Sequence, residues 1–214
     1  DLHSFPTRRS SDLVQRMLGK HRFRDSRPQG HGRVDLYKSI VVSSDTYYYG
    51  AAYDLGVDRI HDFMAPWGFG RLTGIDLPDE QPGLLPSSAW KQQRFKQPWF
   101  PGETPSVGIG QGYNAFTILQ LAHATATLAN DAVAHRPHLV THVGSVMPDS
   151  GEAPDGKPIR VSSQNLKLVQ RAMTDVTRKG TARTAFLEAE YESAGKTGTA
   201  QVIGIAEPDR KSVV

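Results

Sequence analysis

Two short runs in this 214-residue chain carry side chains able to do chemistry at close spacing. In Lys196-Thr197-Gly198-Thr199, on a strand beside a cleft, the ammonium attracts an anionic group and the next hydroxyl donates to a carboxylate. The glycine lets a substrate approach the backbone, and the N–H that follows can face a developing oxyanion. In Ser43-Ser44-Asp45, a hydroxyl and a short carboxylate share one turn, where they can relay a proton or hold a lysine and a substrate amide. Each run alone also has a plain structural reading. The first is then a charged edge strand with a glycine kink, and the second a helix cap.

The elements that must position these runs can be read from periodicity. Residues 34–55 read as two helices: Leu36, Ile40 and Val41 recur at helical spacing, and Ala51, Ala52 and Leu55 resume it before Gly56. The polar step Ser43-Ser44-Asp45-Thr46 between them favours helix starts and turns over helix interiors. Residues 57–69 make a further short helix stopped by Gly68 and Gly70. Residues 73–105, rich in Pro, Gly and aromatics, read as a long ordered excursion over the surface. A helix spans 114–130 with Ile118, Leu121, Ala122, Thr125 and Leu128 on one face. Strands are expected at 139–146 and 159–161, joined by a long turn. Ser162 or Ser163 caps a helix whose apolar positions are Leu166, Val169, Met173 and Val176, closed by Gly180. Residues 194–205, rich in Gly, Thr and Val, read as a strand.

Order and context join the two runs. Ser-x-x-Lys, then Ser-Asp-Asn, then Lys-Thr-Gly is the signature of penicillin-binding proteins and class A β-lactamases. Here the second and third occur in that order and far apart. Further segments, among them Thr73-Gly-Ile-Asp-Leu-Pro78, Val107-Gly-Ile-Gly-Gln-Gly112, Pro137-His-Leu139 and Ala194-Gly-Lys-Thr-Gly-Thr-Ala-Gln-Val202, resemble the class B high-molecular-weight penicillin-binding transpeptidases over roughly residues 20–206. The resemblance implies an α/β fold of the serine β-lactamase/transpeptidase type, an antiparallel sheet flanked by helices and incomplete at both ends. It also implies a serine acyl transferase that cross-links peptidoglycan stem peptides during cell-wall elongation, with β-lactams as covalent inhibitors. In that scheme Ser43 shuttles a proton toward the leaving amine. Asp45, where many relatives carry Asn, orients the catalytic lysine and the substrate amide. Lys196 and Thr197 hold the terminal carboxylate, Gly198 admits the substrate, and Thr199 gives a backbone N–H to the oxyanion hole. The expected partners are stem peptides, the lipid-linked precursor and the elongation machinery, on the periplasmic side of the inner membrane, with a membrane anchor upstream. No cofactor is implied. Two rivals share the motifs: a β-lactamase or penicillin sensor, and a non-catalytic wall-assembly module.

One element of the signature is missing. No Ser-x-x-Lys precedes Ser43, while Ser88-Ala-Trp-Lys91 and Ser193-Ala-Gly-Lys196 come after it and read as chance matches. Residues 1–13 have no period and resemble a translated adapter, and residues 207–214 invite the same reading. The domain is therefore expected to be a partial transpeptidase over 14–206, lacking its nucleophile and inactive alone.

Composition sets the remaining bounds. Hydrophobic residues make up 38% and charged residues 22%, as in ordinary folded domains, and zero cysteines remove disulfides and thiolate metal sites. The pI of 9.2 raises nucleic acid as a partner. The excess is confined to residues 14–38, with net charge +5, while residues 39–214 carry −2, so nucleic acid is set aside. His135, His138 and His142 are interrupted by Pro137 and read as surface histidines, and Asp25 with His31 reads as a loop pair or a cleft-edge hydrogen bond. No metal is assigned. Of Tyr47, Tyr48 and Tyr49, at least one must pack inward. Trp90 and Trp99 flank Lys91, Arg94 and Lys96 either as a binding surface or as an ordered loop with stems on rings.

Overall fold

The computed structural model describes residues 15–18, 21–27, 29–141 and 156–198. Among these residues helices dominate, with two small antiparallel strand pairs, so the α/β class holds with a small sheet. Strands β1 (Gln15–Leu18) and β2 (His21–Arg24) form one pair, with Gln15 opposite Arg24. Helix α1 (Leu36–Val42) starts where the Asp35 carboxylate accepts from the Lys38 N–H at 2.7 Å. It stops at Ser43, whose left-handed backbone (φ 55°, ψ 55°) cannot continue a helix. Ser44 is extended, and α2 (Asp45–Leu55) begins immediately after it. The polar step is therefore the junction the sequence indicates. Helix α3 (Val57–Met64) follows, then a 3-10 turn (Ala65–Trp67) ended by Gly68.

The excursion at 73–105 is held by carboxylates capping backbone N–H groups. Glu80 accepts from Thr73 N at 2.7 Å and Gly74 N at 3.0 Å, and Asp76 accepts from Leu139 N and Val140 N at 2.7 and 2.8 Å. It also contains a helix that periodicity does not show, α4 (Ser88–Phe95), started by Ser87 accepting from Trp90 N. Lys91 on α4 is 1% exposed, 2.6 Å from Glu103 and 4.3 Å from the centroid of Phe100. This segment is thus an ordered loop with a cation sealed under rings. Helix α5 (Thr104–Gly108) comes next and packs on α2. A Cβ at Gly108 would lie 2.2 Å from the Ala52 Cβ, so this close approach requires glycine.

Helix α6 (Ile118–Ala129) corrects the face expected from the sequence. Gln120, Ala124 and Thr127 are buried, whereas Ile118 is 81% exposed and Leu121 is also exposed. Gln120 closes a capping box with Thr117 and donates to the carbonyls of Arg71 and Pro82, both at 2.7 Å. Those loop carbonyls need a donor in the interior, and that need turns the polar side chain inward. Strand β3 (Val133–Ala134) pairs antiparallel with β4 (Lys157–Pro158), so among the described residues the ladder precedes 139–141 and 159–161, the described parts of the two segments expected to carry it. Leu139 to Thr141 lie outside any strand because Asp76 takes the N–H groups of Leu139 and Val140. Residues 142–155, with His142, fall outside the described residues.

Helix α7 (Ser163–Arg178) is capped by Ser162, as the sequence indicates. Its Ala172 and Val176 bury against Ile40 and Val41 of α1, with Val169 and Met173 alongside. A second core joins Trp67, Phe69, Leu85, Ala124, Ala132 and Leu166. The α1–α7 contact places the Ser43 junction beside the segment that follows α7. Gly180 permits it, since a Cβ there would lie 2.4 Å from the Val41 carbonyl oxygen. Among the described residues no helix is long and apolar enough to cross a membrane.

Candidate functional site

The site forms where the α1–α2 junction meets residues 193–198. Ser43 caps α1 with its N–H on the Ile40 carbonyl (3.3 Å), and the Ser44 N–H reaches the Ser39 carbonyl (3.0 Å). Beneath the junction sits Asp25, 8% exposed. One of its oxygens accepts from Thr46 Oγ1 (2.8 Å), Ser44 Oγ (2.9 Å) and Thr46 N (3.3 Å). The other lies 3.1 Å from His31 Nε2 and accepts from Arg27 N at 3.4 Å. Burial pushes the Asp25 carboxyl up, but the Thr46 and Ser44 hydroxyls and the Thr46 and Arg27 N–H groups together hold it below the ordinary range. Asp25 and His31 therefore form a hydrogen-bonded loop pair under the cleft. Among the described residues no group of three potential ligands could hold a metal ion.

The other wall comes from the run after α7. Met173 O accepts from Gly195 N (3.1 Å) and Thr177 Oγ1 donates to Ser193 O (2.8 Å). Lys196 then reaches across 153 positions of chain to donate to Ser43 Oγ at 2.7 Å, and also to Thr197 O at 2.6 Å. Thr197 Oγ1 lies 2.7 Å from Thr181 Oγ1, and the Thr181 N–H is held by Val41 O. The strand expected over 194–205 does not appear at 194–198. A strand needs a neighbour to complete its ladder, and among the described residues none lies alongside. Thr199 falls outside the described residues.

Ser43, Asp45, Lys196, Thr197 and Gly198 line a single cavity of about 760 Å³. It also takes Ser26, Tyr49, Gly108, Ile109, Gln111 and Thr181, residues given no catalytic role by the motifs, although Gly108, Ile109 and Gln111 belong to the glycine run. Thr181 carries no signal of its own. Only its place after Gly180, where α7 turns back onto α1, sets it beside Thr197.

Electrostatics couple the two walls. Burial pushes Asp45 above the ordinary carboxylate range, and the nearby Asp25 adds to this, while Lys196 and His31 pull the other way. Burial lowers Lys196, and Asp45 partly restores it. Tyr49, on the same cavity, is pushed up to about 12 by burial and then by Asp45 and Asp25. The arrangement presents an ammonium to an incoming anion and keeps a hydroxyl within one proton transfer of it. Of the two later Ser-x-x-Lys matches, Ser88–Lys91 is engaged elsewhere, whereas Lys196 of Ser193–Lys196 belongs to the cleft through its own strand-motif position. Ser88 Oγ donates to Asp58 at 2.7 Å and Lys91 is sealed on Glu103, and neither lines the cavity.

The penicillin binding protein transpeptidase domain model matches residues 11–212. The chain belongs to this family. Among curated relatives, Peptidoglycan D,D-transpeptidase MrdA of Haemophilus influenzae is 42% identical over 195 residues, which cover 88% of this chain and 30% of that protein. The MrdA of Acinetobacter baumannii is 43% identical over 196 residues, covering 89% and 28%. The chain thus spans about a third of the length of these transpeptidases. Among solved structures, Pseudomonas aeruginosa PBP2 in complex with WCK 5153 superposes with a TM-score of 0.82 at 40% identity, covering 89% of this chain and 44% of that one. Helicobacter pylori PBP2 in complex with MreC gives 0.78 at 33% identity, covering 88% and 34%. The penicillin-binding transpeptidase fold expected from the motifs is therefore the fold of this chain.

Proposed function

We propose that this chain forms two walls of the acyl-transfer site of a peptidoglycan D,D-transpeptidase. The observation that carries this reading is the 2.7 Å contact from Lys196 to Ser43, in a cavity shared with Asp45, Thr197 and Gly198. In the reaction, a serine supplied by a Ser-x-x-Lys element attacks the D-Ala-D-Ala carbonyl, the terminal D-alanine leaves, and an amine of a neighbouring strand takes the acyl group. The Lys196 ammonium and the Thr197 hydroxyl hold the terminal carboxylate. Ser43 passes a proton toward the leaving amine, drawing on its hydrogen bond with Lys196. Asp45 keeps Lys196 charged against desolvation and orients the substrate amide. Gly198 leaves room for the substrate backbone, and the Thr199 N–H completes the oxyanion hole.

The same reading assigns residues 14–206 to the partial transpeptidase domain and residues 1–13 and 207–214 to foreign sequence. The substrates are stem peptides and the lipid-linked precursor, the covalent inhibitors are β-lactams, and the setting is the elongation machinery on the periplasmic face of the inner membrane. The PBP2–MreC complex from Helicobacter pylori supports that setting by analogy. The test is labelled penicillin. A gene product that carries Ser-x-x-Lys upstream of Ser43 should be acylated covalently, and the 214-residue chain alone should not. Acylation of the 214-residue chain, or a complete gene without that element, would overturn the catalytic assignment.

A further inference from the structure

A second cavity, of about 860 Å³, shares no residue with the cleft. It is walled by the end of α3, the following 3-10 turn, residues 71–73, His123 of α6 and the β3–β4 pair. Among the described residues, Arg71, Arg136, Lys157 and Arg160 line it against a single carboxylate, Asp62. That concentration runs against its surroundings, because residues 39–214 carry a net charge of −2. Among the described residues Arg71, Lys157 and Arg160 have no ion partner, and Arg71 donates only to the Pro66 carbonyl at 3.1 Å. Three imidazoles, those of His61, His123 and His135, lie among the cations. The Nδ1 atoms of His61 and His123 are buried without a hydrogen-bond partner. Two large apolar side chains on the same wall, Phe63 and Leu72, are 56% and 55% exposed.

These features select a ligand class. Like charges gathered on one concave surface repel one another and attract an anion, and clustered arginines recognise acidic motifs. A single phosphate or pyrophosphate needs enclosed, converging donors, whereas Arg71, Lys157 and Arg160 are all exposed and interleaved with apolar surface. An extended segment with several carboxylates and one or two apolar side chains meets both features at once. We propose that this cavity is a second binding site, one that receives an acidic, partly apolar peptide segment of a partner protein. The site is independent of the acyl-transfer reading, because it uses none of the cleft residues.

The experiment uses the complete gene product and a fluorescein-labelled twelve-residue peptide of repeated Glu-Glu-Leu, followed by anisotropy. The expected result is saturable binding that weakens with added salt and falls by about tenfold in the Arg71→Glu/Arg160→Glu protein. Penicillin acylation should be unchanged in that variant, which shows that its fold is intact. If the double reversal does not fold, Arg71→Gln/Arg160→Gln should still weaken the peptide by about threefold. Three results overturn the proposal: no saturable binding, equal binding of a Lys-Lys-Leu repeat, or binding undiminished by loss of the arginines. Displacement of the peptide by inorganic pyrophosphate at equal or lower concentration also overturns it, by assigning the cavity to a small phosphate anion.

Discussion

The two walls of the cleft are built in opposite ways. The Ser43–Asp45 wall rests on a buried carboxylate whose neighbours are tied to it by hydrogen bonds from three hydroxyls and two backbone N–H groups. The Lys196–Gly198 wall is exposed as a whole, with only the Lys196 ammonium partly desolvated in the cleft; it lies outside any described ladder and is fixed by a few long-range contacts to α1, α7 and Thr181. A buried network makes position and stability inseparable, since removing one member leaves the others unsatisfied. An exposed segment separates them, because water replaces whatever contact is lost. Substitutions in the first wall should therefore cost both folding and activity, and those in the second activity alone.

The largest expected effect tests the exposed wall. Lys196→Ala in the acylation-competent protein should slow penicillin acylation by about 100- to 1000-fold, with the thermal midpoint unmoved. A midpoint that dropped with the rate would erase the contrast. Asp25→Ala tests the buried wall and should cost about 3 kcal/mol in urea unfolding, because the Ser44 and Thr46 donors lose their acceptor. The pH dependence of this effect has a definite sign. The folded pKa of Asp25 is depressed, so its contribution is present above the unfolded pKa and is lost as pH falls through the folded value. The stabilities of the two proteins should accordingly converge in acid. Gly108→Ala should cost about 1–3 kcal/mol by forcing α5 away from Ala52, read as a lower unfolding midpoint. The smallest effect is a shift of profile. Asp45→Asn removes the charge that partly restores Lys196, so the Lys196 pKa falls further and the alkaline limb of the acylation profile should move to lower pH. An unmoved limb would show that the two walls are not coupled through this pair.

Much of the site was legible because its motifs are local. A hydroxyl followed by a carboxylate at a helix break, and an ammonium beside a hydroxyl and a glycine, show their chemistry within four residues each. Helix-stop chemistry likewise placed the α1–α2 junction at Ser43 and Ser44. What escaped is decided by distant partners. The buried face of α6 follows Gln120, whose amide answers carbonyls 49 and 38 positions away. Helix α4 sits in a segment without periodicity because its buried residue is a lysine, sealed by Glu103 rather than by an apolar face.

The sequence by itself determined the family, the candidate residues and the order of the helices around them, since these depend on residue type, spacing and local backbone preference. Only the tertiary structure decided that Lys196 meets Ser43 and that Thr181 braces Thr197. It also decided that Asp25 lies under the junction and that Arg71 and Arg160 share a cavity. The physical reason is the same in each case. These are contacts between groups far apart in the chain, and their positions are fixed by which faces of α1, α6 and α7 bury together.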